Sequence, residues 1–167
     1  MEIVVNDTNI FIDLYSIGLL ESFFRLPIRV HTVDFVLHEI TVPEQFNNVN
    51  KFAKNGKLKV QSFGGDELKE IISLQNRCSG NVSFTDCAVW YYAQTNNYTL
   101  LTGDRQLREK AIEANVAVKG IIYIFDMLVE HYILQPQIAA TKLEELIAIN
   151  PRLPKKIIRE RIEKWKE

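Results

Sequence analysis

Five short runs recur along the chain: "EIVVN" (2–6), "IRVHT" (28–32), "KLKVQSF" (57–63), "YTLLTGD" (98–104) and "VAVKG" (116–120). Each is followed by a longer stretch with helical spacing, and this alternation is what most constrains the fold. A continuous β-branched run bounded by polar residues reads as a strand buried on both faces. Parallel strands need long crossovers, and helices supply them. The order therefore predicts an α/β architecture, with a mainly parallel sheet covered by helices on both faces. "KLKVQSF" alternates in polarity, which suits an edge strand.

The intervening stretches carry helix signals. "TNIFIDLYSIGLLESFF" reads as one helix, with Asp7 or Thr8 at its N-cap. "VDFVLHEIT" places Val33, Val36, Leu37 and Ile40 at helical spacing, and "EQFNNVNKFAKNG" forms another helix ending at Gly56. "DELKEIISLQNRCSG" is amphipathic, with Leu68, Ile71, Ile72 and Leu74 on its inner side. In "SFTDCAVWYYAQTNN", Ser83 and Asp86 have capping-box spacing. "RQLREKAIEAN" follows Asp104, and three closing helices follow the last strand. Pro136 and Pro154 suit first-turn positions, and Ile158, Ile162 and Trp165 form a docking stripe.

Length and composition narrow the class. The 167 residues suit one domain, and 47% hydrophobic residues suffice for a full core. No apolar run approaches the roughly 20 residues that span a bilayer, so no membrane association is expected. A basic segment followed by an apolar one is missing at the N-terminus, and Cys78 and Cys87 form no paired framework. Both point to a cytoplasmic location. The net charge of −1 names no partner, but its distribution is uneven. Seven basic and three acidic residues between Arg152 and Glu167 give +4, leaving −5 on the first 151 residues. Such a tail either steers a polyanion or is a solvated helix face.

Two acids stand where an α/β sheet gathers ligands, beyond the C-terminal ends of strands: Asp7 after "IVVN" and Asp104 after "TLLTG". Two more stand in apolar helical stretches, Glu39 in "FVLHEI" and Asp86 before "CAVWYYA". Singly, each has an ordinary reading. Asp7 and Asp104 are helix caps, Asp86 is a charge favoured at a helix N-terminus, and Glu39 is a surface acid. Gathered into one pocket, four carboxylates repel, and some must take a proton or meet a cation. All-oxygen donors suit Mg²⁺ or Mn²⁺.

The segments "IVVNDTNIFIDL", "VLHEI", "SFTDCAVWYYA" and "LLTGDRQLREKA" resemble, in this order, the signature of PIN domains. That resemblance implies a three-layer α/β/α sandwich with four to five strands in the sheet. It also implies a PIN-like unit over residues 1–134 and a helical extension over 135–167 packed on the same domain. It implies a metal-dependent endoribonuclease of the VapC toxin type. Asp7, Glu39, Asp86 and Asp104 would be its catalytic, metal-holding quartet, with Asn9 and Thr102 orienting acids or water. Water would attack the phosphate in line and leave a 5′-phosphate and a 3′-hydroxyl. RNA, a cognate antitoxin and a second copy of the chain are the partners implied.

Other readings compete. A catalytically silent PIN-like module would bind RNA or protein without cleavage. A haloacid-dehalogenase-like phosphatase needs a second aspartate two residues after Asp7, where this chain has Asn9. His31, His38 and His131 lack zinc-ligand spacing, and Gly64-Gly65 makes no nucleotide-binding loop. Trp90, Tyr91 and Tyr92 would form a base-stacking platform in an RNA-binding module, but in so apolar a helix core packing suits Trp90, and less firmly Tyr91, better. Arg105 and Arg108 are placed either to contact phosphate at the pocket rim or to pair with Glu109 and Glu113.

Overall fold

The computed structural model describes residues 1–78 and 80–167. Five strands form one sheet: β1 (Ile3–Asn6), β2 (Arg29–Val33), β3 (Leu58–Gln61), β4 (Thr99–Leu101) and β5 (Val118–Lys119). Every pairing is parallel, in the spatial order β3-β2-β1-β4-β5. Val4 and Val5 on the central strand are fully buried and pair with Val30 and His31 on one side, and with Thr99 and Leu100 on the other. β3 is an edge, as its alternation predicts.

The chain runs outward from β1 through β2 to β3, then returns to the far side of β1 for β4 and β5. The strand order therefore reverses between β1 and β4. At such a point successive crossovers leave on opposite faces, and a crevice opens beyond the strand ends. Asp7 and Asp104 border that crevice.

The helices are α1 (Thr8–Ser16), α2 (Leu20–Phe23), α3 (Asp34–Glu39), α4 (Pro43–Lys54), α5 (Gly65–Arg77), α6 (Phe84–Asn96), α7 (Arg105–Glu113), α8 (Ile121–Glu130), α9 (Pro136–Ile149) and α10 (Lys155–Lys166). Three details correct the sequence reading. The first helix is interrupted, because Gly18 takes φ +73° and lets the chain turn before α2. Ile72 of α5 faces outward at 47% exposure, while Ile71 and Leu74 are buried. Pro154 is the N-cap of α10 rather than a first-turn residue, whereas Pro136 does open α9. Ser79, which the sequence puts at the close of the α5 segment, lies outside the described residues.

The last two helices belong to the same core. Leu143 and Leu146 of α9 and Ile158 of α10 are fully buried, and Trp165 stacks on Phe125 of α8. Each such side chain stabilises by about 1.5–3 kcal/mol relative to exposure. Arg161 of α10 adds a two-pronged pair to Asp126 of α8, at 2.7 and 2.8 Å. Among the described residues no helix is long and apolar enough to cross a membrane, and both cysteines are free.

Candidate active site

The site begins with β1 running into α1. Asp7 is the N-cap of α1, and its Oδ1 accepts from the Thr8 backbone N–H at 2.8 Å. Its own N–H donates to the Leu101 carbonyl across the β1–β4 seam at 2.9 Å. Its Oδ2 accepts from the Thr102 hydroxyl at 2.8 Å, and Thr102 Oγ1 accepts in turn from the Asp104 backbone N–H at 3.1 Å. One threonine, 1% exposed, thus ties the acid that ends β1 to the acid that follows β4.

Asp104 caps α7 through a 2.8 Å bond from the Leu107 N–H to Oδ1. Asp86 completes a reciprocal capping box with Ser83: each side chain accepts from the other's backbone N–H at 3.0 Å. Glu39 ends α3, exposed, with Oε2 accepting from the Thr8 hydroxyl at 3.1 Å. The ordinary readings of Asp7, Asp86 and Asp104 as helix-start residues are therefore correct locally. They do not exclude a second role, because capping uses one oxygen and leaves another. Among the described residues Asp86 Oδ1, Asp104 Oδ2 and Glu39 Oε1 carry no hydrogen bond.

The fields of these acids reach one another. Asp7 is 3% exposed, and burial pushes its carboxyl up to about 7. Asp86 and Glu39 contribute to that rise, while the bonds from Thr102 and Thr8 pull the other way. Burial also raises Asp86, with added pressure from Asp104 and Glu39. Asp86 is therefore the common electrostatic neighbour of the other three. Among the described residues no Lys, Arg or His nitrogen lies within 4.0 Å of any of the four carboxylates.

These residues fit a hard divalent cation by donor chemistry, since every available donor is oxygen and three carboxylates keep a free one. They do not form a preformed cage. Among the described residues no three His, Cys, Asp or Glu side chains stand close enough to hold a metal ion. The arrangement is an open acidic crevice, and holding an ion would require its members to close by side-chain rotation. Glu39, long and exposed, has the most freedom to do so.

Asn9 is the second residue of α1, exposed and without a side-chain hydrogen bond among the described residues. Arg105 pairs with Glu109 at 3.1 Å on the exposed face of α7, and Arg108 is exposed and makes no ion pair among the described residues. Trp90 and Tyr92 are buried, and the Tyr92 hydroxyl meets His31 Nδ1 at 2.8 Å. Sequence reasoning missed Thr8 as a bridge between Asp7 and Glu39. It also missed Asp13, half-buried on α1, whose Oδ2 accepts from Asn150 Nδ2 at 3.0 Å. The first had a signal in the "DT" step; the second, a pairing across 137 positions, had none.

The model of the PIN-domain family described as DUF3368 matches residues 3–167. The chain belongs to this family. No curated protein matches it. Several solved structures resemble it at low identity. A domain of a functionally unknown protein from Methanocaldococcus jannaschii aligns at TM-score 0.50 and 19% identity, over 72% of this chain and 91% of that one. VapBC2 from Rickettsia felis, bound to a promoter DNA fragment, aligns at TM-score 0.45 and 18% identity, over 71% and 98%. FitAcB from Neisseria gonorrhoeae aligns at TM-score 0.44 and 14% identity, over 69% and 95%.

Proposed function

We propose that this PIN-domain protein is a Mg²⁺- or Mn²⁺-dependent endoribonuclease and the toxin of a toxin–antitoxin pair. The observation that carries this reading is Asp7: buried, held by two hydrogen bonds, raised to about 7, and without a cationic partner. A fold tolerates such a carboxylate where another group completes it. Asp7, Glu39, Asp86 and Asp104 would hold the ion. Thr102 would fix the Asp7 rotamer and the Asp104 backbone, and Asn9 would orient water or phosphate at the crevice mouth. When bound, a divalent cation supplies charge neutralisation at phosphate and acidifies water. The carboxylates would also accept the proton released as water attacks in line. No Ser, Cys or His nucleophile is required.

Purified protein with a fluorophore-quencher single-stranded RNA tests this. Cleavage with Mn²⁺, its loss in EDTA, and its loss in folded Asp86→Asn support the reading. A wild-type protein that cuts no RNA with either ion, and binds RNA as well as Asp86→Asn does, replaces it with the silent-module reading. The open, uncaged arrangement of the acids is the observation that favours this alternative.

The toxin assignment, a homodimer and a cytoplasmic setting extend the proposal through family membership. A small antitoxin would send an extended tail carrying Arg or Lys into the acidic crevice. Growth arrest on expression, relieved by Asp7→Asn, supports the toxin role. Unimpeded growth with an active nuclease removes that role alone.

A further inference from the structure

A cavity of about 770 Å³ adjoins the acidic crevice, within the about 300–1,000 Å³ typical of ligand pockets. Asn9 and Asp104 form its inner wall, beside Asp7. Its outer wall is the turn between α9 and α10, residues 150–153, which belongs to the C-terminal extension. Asn81 and Gln106 lie at its side, joined by a 3.0 Å bond from the Asn81 N–H to Gln106 Oε1.

The turn is fastened rather than merely adjacent. Asn150 Nδ2 donates to Asp13 Oδ2 at 3.0 Å, and Asn150 Oδ1 accepts from the Arg152 backbone N–H at 3.2 Å. Leu153 is buried behind it. One carboxamide therefore sets the turn against α1 and shapes the backbone that carries Arg152. Two cations line the cavity, and they differ. Arg105 is paired with Glu109, whereas Arg152 is exposed and makes no ion pair among the described residues. Farther along α10, Arg161 and Lys166 are engaged with Asp126 and Glu144. Among the described residues Arg152, Lys155, Lys156, Arg159 and Lys164 of the basic tail make no ion pair, and of these Arg152 is the one that lines the cavity.

We infer that the 150–153 turn is a wall of the substrate groove, where Arg152 binds a phosphate of single-stranded RNA flanking the scissile one and Asn150 positions it through Asp13. This rests on the ribonuclease reading. It explains how a chain whose first 151 residues carry −5 draws a polyanion to an acidic site: a cation beside the crevice offsets the repulsion before the ion and acids engage the reacting phosphate. Asn81 and Gln106 each offer a carboxamide able to meet the base attached to that phosphate. Asn150 is a positioning residue.

The test combines anisotropy of a labelled single-stranded RNA in EDTA with steady-state cleavage in Mn²⁺, for wild type, Arg152→Ala, Arg152→Lys, Asn150→Ala and the Asn150→Ala/Arg152→Ala double variant. Arg152→Ala should raise Kd and KM about five- to tenfold, leave kcat within about twofold, and lower the slope of log K against log salt by about one. Arg152→Lys should recover part of the loss. Asn150→Ala should reproduce the KM effect, and the double variant should be no worse than Arg152→Ala alone, since both remove one contact. If wild type cleaves and binds RNA while Arg152→Ala matches it in KM and salt slope, this inference falls and the ribonuclease reading stands. Additive losses in the double variant remove the positioning role of Asn150. If wild type neither binds nor cleaves RNA, both fall together.

Discussion

Two groups of acids in this molecule sit in contrasting surroundings. Asp126, on the face of α8 that meets α10, receives both prongs of the Arg161 guanidinium at 2.7 and 2.8 Å. Asp7, at the β1–β4 crevice, receives a hydroxyl and a backbone N–H, and its nearest charges are other acids. The first arrangement neutralises a charge and ties the terminal helix to the body. The second leaves a buried carboxyl without a cationic partner, which costs stability. A carboxylate completed by the chain itself is structural; one left incomplete at a sheet switch point is a candidate for chemistry.

The largest effect should come from removing a crevice acid. Asp86→Asn should lower Mn²⁺-dependent RNA cleavage by more than about 100-fold, since even partners behind metal ligands are typically worth about 10–100-fold. Asp126→Asn should leave the rate near wild type. Equal losses in both would erase the contrast.

Next in size is the pH dependence of stability. Asp7 has an ordinary carboxyl value of 3.8 and is raised to about 7 in the fold. Between those values the folded protein keeps a proton that the unfolded chain has released. Stability should therefore fall as pH rises from about 4 to about 7, by a few kcal/mol, because each tenfold difference in proton affinity between the two states is worth about 1.4 kcal/mol. Denaturant unfolding in EDTA at pH 5 and pH 8 measures this. Asp7→Asn should flatten the profile, and Mn²⁺ should restore stability at pH 8 more than at pH 5, where protons compete. A pH-independent difference would mean that Asp7 is not the uncompensated group.

Thr102→Val, which keeps shape and deletes the hydroxyl linking Asp7 to Asp104, should cost about 10–100-fold in cleavage or Mn²⁺ affinity. Arg161→Ala should cost about 1–2 kcal/mol of stability, less than a fully buried pair because both side chains are about a third exposed, with cleavage intact. The smallest change is Ser83→Ala, about 1 kcal/mol from a lost cap. A drop in cleavage larger than that stability loss would show that the capping box also aims Asp86.

Much of the architecture was legible in the sequence because local chemistry dictates it. The β-branched runs 2–6 and 28–32 can be satisfied only inside a sheet, and their separation by helices makes that sheet parallel. The Ser83–Asp86 spacing predicted a box that the fold contains. Ile72 and Gly18 were misread for complementary reasons. Helical spacing marks a face but not how wide a neighbour covers it, and an apolar helical stretch does not reveal where a positive φ will interrupt it.

The four acids were legible as candidates, since each breaks an apolar pattern at a strand end or helix start. The sequence by itself determined which residues carry the charge and which elements present it. Only the tertiary structure decided that Asp7 is desolvated, that Thr102 joins it to Asp104, that the acids stand open rather than caged, and that Asn150 reaches Asp13. Strand order and side-chain burial are properties of contacts between distant segments, and periodicity along the chain records only the near ones.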